Sequence, residues 1–230
     1  MIICSWRLDT KVGGSLSGLF TGIALKRLGH DVRILERDNR PWLRHRGAGI
    51  IFGSDVQYFL QVYVPTKSPI VVLSDARHYL NRTGTIVDSQ TCTQVMGSWD
   101  VLYHVLRAHF DGLASVYCEC PGRIPGDGDA VYEFDRKVMG VEVEDGGDVV
   151  EVRAVSESSE MSVFRADLVI GADGPSSSVR RYLEPSVSRR YGGYVAWRGV
   201  VNEGDVSQDA RDVFSGSFGF FYEPGTQALA

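Results

Sequence analysis

Val12-Gly13-Gly14-Ser15-Leu16-Ser17-Gly18-Leu19, with the segment that follows as far as Glu36, decides how this chain folds. Gly13 and Gly18 stand where the first and last glycines of a dinucleotide-binding turn stand, and Ser15 takes the middle place. Leu16, Leu19, Phe20, Ile23 and Ala24 recur at three- and four-residue steps, which predicts a helix with one apolar face. Gly29 after Leu28 is a stop signal, and Asp31 to Leu35 reads as a short strand that ends at Glu36. Glycine lets the backbone turn sharply and come close to a pyrophosphate, while the helix N-terminus offers N–H groups and a partial positive charge to that anion. Glu36, eighteen positions after Gly18, is placed to accept hydrogen bonds from an adenosine ribose. A glycine-rich helix start by itself fits any α/β protein. The ordered series of turn, helix, stop, strand and acid is what favours a nucleotide.

The remaining composition narrows the class. The 230 residues are 43% hydrophobic and 23% charged, enough for a sizeable core and unlike a disordered chain. A net charge of −5 argues against nucleic acid or an acidic membrane surface as partner. No apolar run reaches the roughly 18 residues that a membrane span needs. The opening residues Met1 to Arg7 are too short and polar for a signal peptide, and Cys4, Cys92, Cys118 and Cys120 have no zinc spacing. Free thiols in a reducing, cytoplasmic setting follow.

Along the chain, the first glycine turn lacks the buried apolar strand that should feed it. Arg7 to Val12 is polar, and only Met1-Ile2-Ile3-Cys4 looks strand-like. After Glu36 and Arg37 comes a basic loop with Arg46-Gly47-Ala48-Gly49, where an arginine beside glycines suggests backbone close to a ligand. Ser54 to Val62 reads as a helix, Ile70 to Val87 as a hairpin with a turn at Asn81 to Gly84, and Ser98 to Phe110 as a helix with Arg107 near its end. Gly112 to Gly128 is mostly loop. Alternating segments at 138–143, 149–155 and 162–165 predict an antiparallel meander. Ala166 to Ile170 then reads as a buried strand entering a second glycine turn, Gly171-Ala172-Asp173-Gly174-Pro175. Tyr191 to Gly199 and Val213 to Leu229 are aromatic and strand-like.

Two separated turns in this order, with a meander before the second, resemble the flavoprotein aromatic hydroxylases of the para-hydroxybenzoate hydroxylase superfamily. The 2,6-dihydroxypyridine hydroxylase-like branch is the most similar. The matching stretches are Gly13 to Leu19, Gly29 to Arg37, Arg46 to Ile50, Ser98 to Tyr103, Asp167 to Arg180 and Tyr194 to Gly199, and Ser15 in the middle place is usual in that branch. The resemblance implies a mixed α/β fold: a Rossmann-like FAD-binding βαβ domain with an antiparallel meander, plus part of a substrate-binding sheet. The implied segments are 1–69 and 98–186 for the FAD domain, 70–97 for a substrate-domain hairpin and 187–230 for an incomplete substrate sheet. It implies an FAD-dependent monooxygenase, an oxidoreductase that consumes NADH or NADPH and molecular oxygen. Such an enzyme hydroxylates a small aromatic or heteroaromatic ring through a flavin hydroperoxide, and the resemblance allows a homodimer. Gly13, Gly14, Ser15, Leu16 and Gly18 would hold the pyrophosphate, Glu36 with Arg37 the adenosine ribose, and Arg46, Gly47, Ala48 and Arg107 would lie along the FAD. Asp173 and Gly174 would serve FAD and the transient nicotinamide. Trp197, Arg198 and Tyr222 are candidates to face substrate. No metal is implied.

Three departures accompany the resemblance. Trp99 stands where the superfamily carries a flavin-contacting arginine, the first strand lacks its apolar run, and the later Gly-Asp motif has no counterpart before Ala230. The chain is therefore expected to correspond to the N-terminal part of such an enzyme, a truncation that counts against holo-enzyme activity. Two other readings stand beside this one: an NAD(P)-dependent dehydrogenase or reductase without flavin, and a non-catalytic nucleotide-binding remnant. The second glycine turn and the meander weigh against the dehydrogenase.

Overall fold

A computed structural model describes residues 9–40, 48–197, 199 and 201–229, the first four by backbone only. The chain divides into two compact units, Met1–His45 with Leu102–Val195 and Arg46–Val101 with Ala196–Ala230. Its elements in order are β1 (Asp9–Val12), α1 (Leu16–Arg27), β2 (Val32–Leu35), β3 (Gly49–Ile51), α2 (Ser54–Tyr63), β4 (Val71–Leu80), β5 (Ile86–Ser98) and α3 (Trp99–Asp111). There follow β6 (Ala130–Glu133), β7 (Lys137–Val143), β8 (Val150–Val155), β9 (Met161–Ala166), β10 (Leu168–Gly171), α4 (Ser178–Leu183), α5 (Gln208–Phe214), β11 (Ser217–Glu223) and β12 (Thr226–Leu229). The fold is mixed α/β with several sheets. β3 and α2 fall in the second unit, whereas the sequence boundaries group 46–69 with the first.

The first unit is built on a parallel sheet of order β10-β1-β2-β6. Its centre corrects the sequence reading of the first strand. The polar stretch Asp9 to Val12 is the strand, running straight into Gly13 and bonded on both sides, to β2 and to β10. Backbone ladders on two neighbours define it despite its polar side-chain pattern. Helix α1 packs on β1 and β2. Its deepest positions are Gly18, Leu19, Gly22, Ile23 and Leu25, so two glycines lie on the buried face, and Gly18 lets the helix start close against the Gly13 carbonyl. Gly29 ends the helix at a positive φ of 88°, and the N–H groups of Gly29 and His30 close back on the carbonyls of Lys26 and Leu25.

The meander β7-β8-β9 is antiparallel, as its alternation predicts. Along β8, Val150, Val152 and Ala154 are buried and pack with Val138, Val141, Ala166, Val169, Val179 and Leu35, while Arg153 points outward to Glu142 and Glu151. Helix α3 begins in the second unit and continues into the first, where every residue from Leu102 to Phe110 is buried. Lys26 of α1 satisfies its end, donating to the carbonyls of His109 (2.9 Å) and Phe110 (2.8 Å).

The second unit holds a sheet of order β12-β11-β4-β5-β3, with β11 parallel to β4 and its other pairs antiparallel. The hairpin read at 70–87 is real but longer: β5 continues to Ser98, which pairs with Gly49 before α3 starts. The strand expected at Tyr191 to Gly199 is not formed among the described residues there, and Tyr191, Tyr194 and Val195 are exposed. Aromatic and β-branched residues favour strands through packing against neighbours, and no strand is paired with this segment.

Gly128 tests how tightly this architecture is closed. A Cβ there would overlap the carbonyl of His30, and the Gly128 N–H donates to the Lys26 carbonyl (2.9 Å). Gly128→Ala is expected to lower unfolding free energy by roughly 1–3 kcal/mol in urea titration, since backbone must move to admit the methyl group. An unchanged midpoint would refute this close approach.

Candidate functional site

The parallel register sets the site. Val12 stands beside Leu35 on one side and Gly171 on the other, and Leu35 stands beside Glu133. Gly13, Glu36 and Ala172-Asp173 therefore emerge in one row at the carboxyl ends of the strands, where open α/β sheets bind their ligands. The Gly13 N–H donates to the Leu35 carbonyl (2.9 Å). Gly13 has φ +100°, and a Cβ on it would overlap the Ala172 carbonyl and the Cα of Asp173; one on Gly18 would overlap the Gly13 carbonyl. The two turns are thus packed backbone to backbone, and the glycines are required by the chain itself before any ligand arrives.

Glu36 is 6% exposed. Its Oε2 accepts the Gly14 N–H (2.8 Å) and its Oε1 the Asp38 N–H (2.9 Å). A carboxylate offers about four acceptor positions, so capacity remains for hydroxyl donors. At the second turn, Asp173 Oδ2 accepts the Ser178 N–H (2.6 Å), while Asp173 Oδ1 is buried without a hydrogen-bond partner. Gly174 follows at φ +71° and opens a short 3-10 turn through Ser176.

Behind the first turn lies a group that sequence reasoning missed. The Tyr132 hydroxyl, on β6, donates to the Gly14 carbonyl (2.8 Å), and a Cβ on Gly14 would overlap its ring. The guanidinium of Arg107 sits 3.6 Å from the centre of that ring. Arg107 Nη1 donates to the Tyr103 hydroxyl (2.8 Å), and its Nε and Nη2 donate to Asp111 (2.9 and 2.7 Å). This differs from the expectation that Arg107 lies along a cofactor: at 1% exposure its side chain has no surface to offer one. Burial pushes the ionisation of the Tyr103 and Tyr132 hydroxyls up, with each tyrosine in the surroundings of the other. Tyr132 follows a proline- and glycine-rich loop in a four-residue strand, and no spacing signal marks it.

The other expected residues are distributed as follows. Leu16 is the first residue of α1 and Ser15 its N-cap. Arg37 is exposed. Ala48 accepts the Trp99 N–H (3.0 Å) within the second unit. Arg46, Gly47 and Arg198 lie outside the described residues. Trp197 is 92% exposed and belongs to no strand, while Tyr222 on β11 is 53% exposed and stacks with Phe220 and Tyr79.

Comparison with known proteins agrees with this geometry. A family model described as FAD binding domain-like matches residues 191–230. The 2,6-dihydroxypyridine 3-monooxygenase of Paenarthrobacter nicotinovorans is 30% identical over 208 residues, covering 90% of this chain and 46% of that protein. The aurachin C monooxygenase/isomerase of Stigmatella aurantiaca is 33% identical over 213 residues, 90% of this chain and 50% of that protein. The solved structure of 2,6-dihydroxypyridine-3-hydroxylase from Arthrobacter nicotinovorans superposes with a TM-score of 0.75 at 28% identity, covering 99% of this chain and 51% of that one. Over most of its own length the chain is similar to FAD-dependent monooxygenases. It spans about half the length of the curated relatives it matches.

The residues at the two turns fit FAD. The N-terminus of α1 has no side-chain cap bond and no acidic residue in its first turn, which leaves the N–H groups of that turn and the helix dipole open to an anion. Glu36 retains acceptor capacity for a ribose, and the orphaned Asp173 Oδ1 waits for a donor such as a hydroxyl. Among the described residues no cluster of His, Cys, Asp or Glu could hold a metal ion, and no helix is long and apolar enough to cross a membrane.

The buried tyrosines make stability depend on alkaline pH. Unfolded tyrosine loses its proton near pH 10, whereas Tyr132 and Tyr103 hold theirs in the fold, so stability is full below that value and falls as pH rises. Above about pH 10 the wild-type chain should lose stability more steeply than Tyr132→Phe, by up to about 1.4 kcal/mol per pH unit. Urea titrations on both sides of that pH check it, and parallel slopes would contradict it.

Proposed function

We propose that the first unit binds FAD along the carboxyl ends of β1, β2 and β10, and that the chain serves the hydroxylation of a small aromatic or heteroaromatic ring. The observation that carries the first part is the convergence of the two glycine turns on one row with Glu36 and Asp173. The N–H groups at the start of α1 would bind the pyrophosphate, Glu36 the adenosine ribose, and Asp173 with Gly174 the hydroxyls of the chain leading to the flavin. FAD supplies the redox and oxygen chemistry when bound, with NADH or NADPH as the reductant and molecular oxygen as co-substrate. The protein's share is to bind, orient and keep water out. The substrate class rests on the relatives, whose names include a dihydroxypyridine monooxygenase and a 3-hydroxybenzoate hydroxylase.

FAD titration of the purified chain, followed by flavin absorbance and by fluorescence quenching, tests the reading. Saturable one-to-one binding is expected, weakened about tenfold or more by Asp173→Ala, a loss of about 1.4 kcal/mol. A folded chain that leaves FAD fluorescence unchanged overturns it. Oxygen-dependent oxidation of NADH or NADPH in the presence of dihydroxypyridines or phenols then tests the hydroxylation.

A further inference from the structure

We infer that Tyr132 sets the polarity of the pyrophosphate site by holding the Gly14–Ser15 peptide from behind, an inference that rests on the FAD-binding reading above. In a trans peptide the carbonyl and the N–H point in opposite directions. The Gly14 carbonyl is taken by the Tyr132 hydroxyl (2.8 Å), so the Ser15 N–H, in the same peptide, faces away from Tyr132 at the N-cap of α1. The preceding peptide is held in the same manner. Its Gly14 N–H goes to Glu36 Oε2 (2.8 Å), and its Gly13 carbonyl faces Gly18, where a Cβ would meet it.

Gly14 leaves its own ψ free, so the direction of this peptide is set by what bonds to it and by the extended backbone of Ser15. A flipped Gly14–Ser15 peptide would aim a carbonyl oxygen, in place of an N–H, at the position of a dianionic pyrophosphate. Such a reversal turns ψ of Gly14 and φ of Ser15 together; Gly14 tolerates it, whereas Ser15 would leave its extended φ of −81° for positive φ, so the serine backs the Tyr132 bond in holding the peptide as it stands. Tyr132 is therefore a positioning residue. Its ring is fixed in turn by Arg107, stacked at 3.6 Å, and Arg107 is fixed by its paired bonds to Asp111. The clamp thus runs Asp111, Arg107, Tyr132, Gly14, entirely behind the surface that a ligand would meet.

The test compares FAD dissociation constants of the wild-type chain, Tyr132→Phe and Val152→Ala at a temperature where urea unfolding shows all three fully folded. Val152 lies on β8 in the three-stranded meander, and its truncation supplies a loss of stability without removing a group that bonds to Gly14. A purely structural effect acts through the folded fraction and leaves the affinity of a fully folded chain unchanged. Tyr132→Phe should weaken FAD about tenfold, and Val152→Ala should stay within about twofold of wild type. In competition against FAD, the margin by which ADP outperforms adenosine should shrink in Tyr132→Phe alone. Should Tyr132→Phe not fold, para-fluorophenylalanine at position 132 gives the same comparison with the ring filled and the donor removed. Wild-type affinity in the variant, or an equal loss in Val152→Ala, overturns the role of Tyr132 and leaves FAD binding standing. A wild-type chain that is folded and binds no FAD overturns both.

Discussion

The buried Glu36 carboxylate joins the end of β2 to the turn that follows β1, and the arrangement of the site depends on that junction. A carboxylate this deep must be matched by donors, since leaving it unpaired costs several kcal/mol. Both donors here are backbone N–H groups, of Gly14 and Asp38, so the charge is met by chain geometry and not by a mobile side chain. Hydrogen bonds to charged groups contribute about 1.5–3 kcal/mol each, enough to hold a two-glycine segment that would otherwise be among the loosest in the molecule. The same carboxylate lies at the register position where β1, β2 and β10 end together, and this places the second turn within packing distance of the first.

Arg107 presents the opposite balance. A guanidinium at 1% exposure has given up its hydration, and one carboxylate with one phenol replaces it. Replacing such buried ion pairs by apolar residues is often neutral or stabilising, so stability alone is a poor reason for this one. The stack over the Tyr132 ring adds about 0.5–2 kcal/mol and restricts the ring to one orientation. What the group accomplishes is geometric. It delivers a hydroxyl to the one carbonyl, Gly14, whose direction decides which end of a peptide dipole faces outward.

The sequence carried the parts of this architecture that depend on local signals. The helix after Ser15 and its stop at Gly29 were legible from periodicity and from the conformational freedom of one glycine. So was the meander, whose buried Val150, Val152 and Ala154 alternate with outward residues. The convergence on two turns was readable because their order is characteristic, although their contact was not. The parts that failed depend on partners far along the chain. Asp9 to Val12 is a strand because β2 and β10 flank it, and four mostly polar residues do not announce that. Tyr191 to Gly199 has strand-like composition without a neighbour to pair with. Arg107 was expected along the FAD through the family resemblance alone, whereas burial beside Asp111 and Tyr132 gives it an internal role. Tyr132 itself was silent, since a tyrosine in a short strand has no signature until the fold brings it against Gly14.

Ser15 shows why the glycine pattern of this turn could change at its middle position and not at its ends. Gly13 sits at φ +100° with its Cβ direction blocked by Ala172, and Gly18 faces the Gly13 carbonyl, so both exclude a side chain. Ser15 sits at φ −81° and ψ −170°, an extended conformation open to any L-residue. A serine at an N-cap ordinarily returns its hydroxyl to the helix and adds about 1 kcal/mol. Here it makes no such bond, and the first turn of α1 carries no acidic residue either. By comparison, Ser177 and Ser207 do cap their short helices α4 and α5. The one helix left uncapped of these three is the one that starts at the junction of Glu36, Gly14 and Asp173. An N-terminus with its N–H groups oriented by Tyr132 behind and Glu36 beside them keeps its electrostatic complement open to an outside anion.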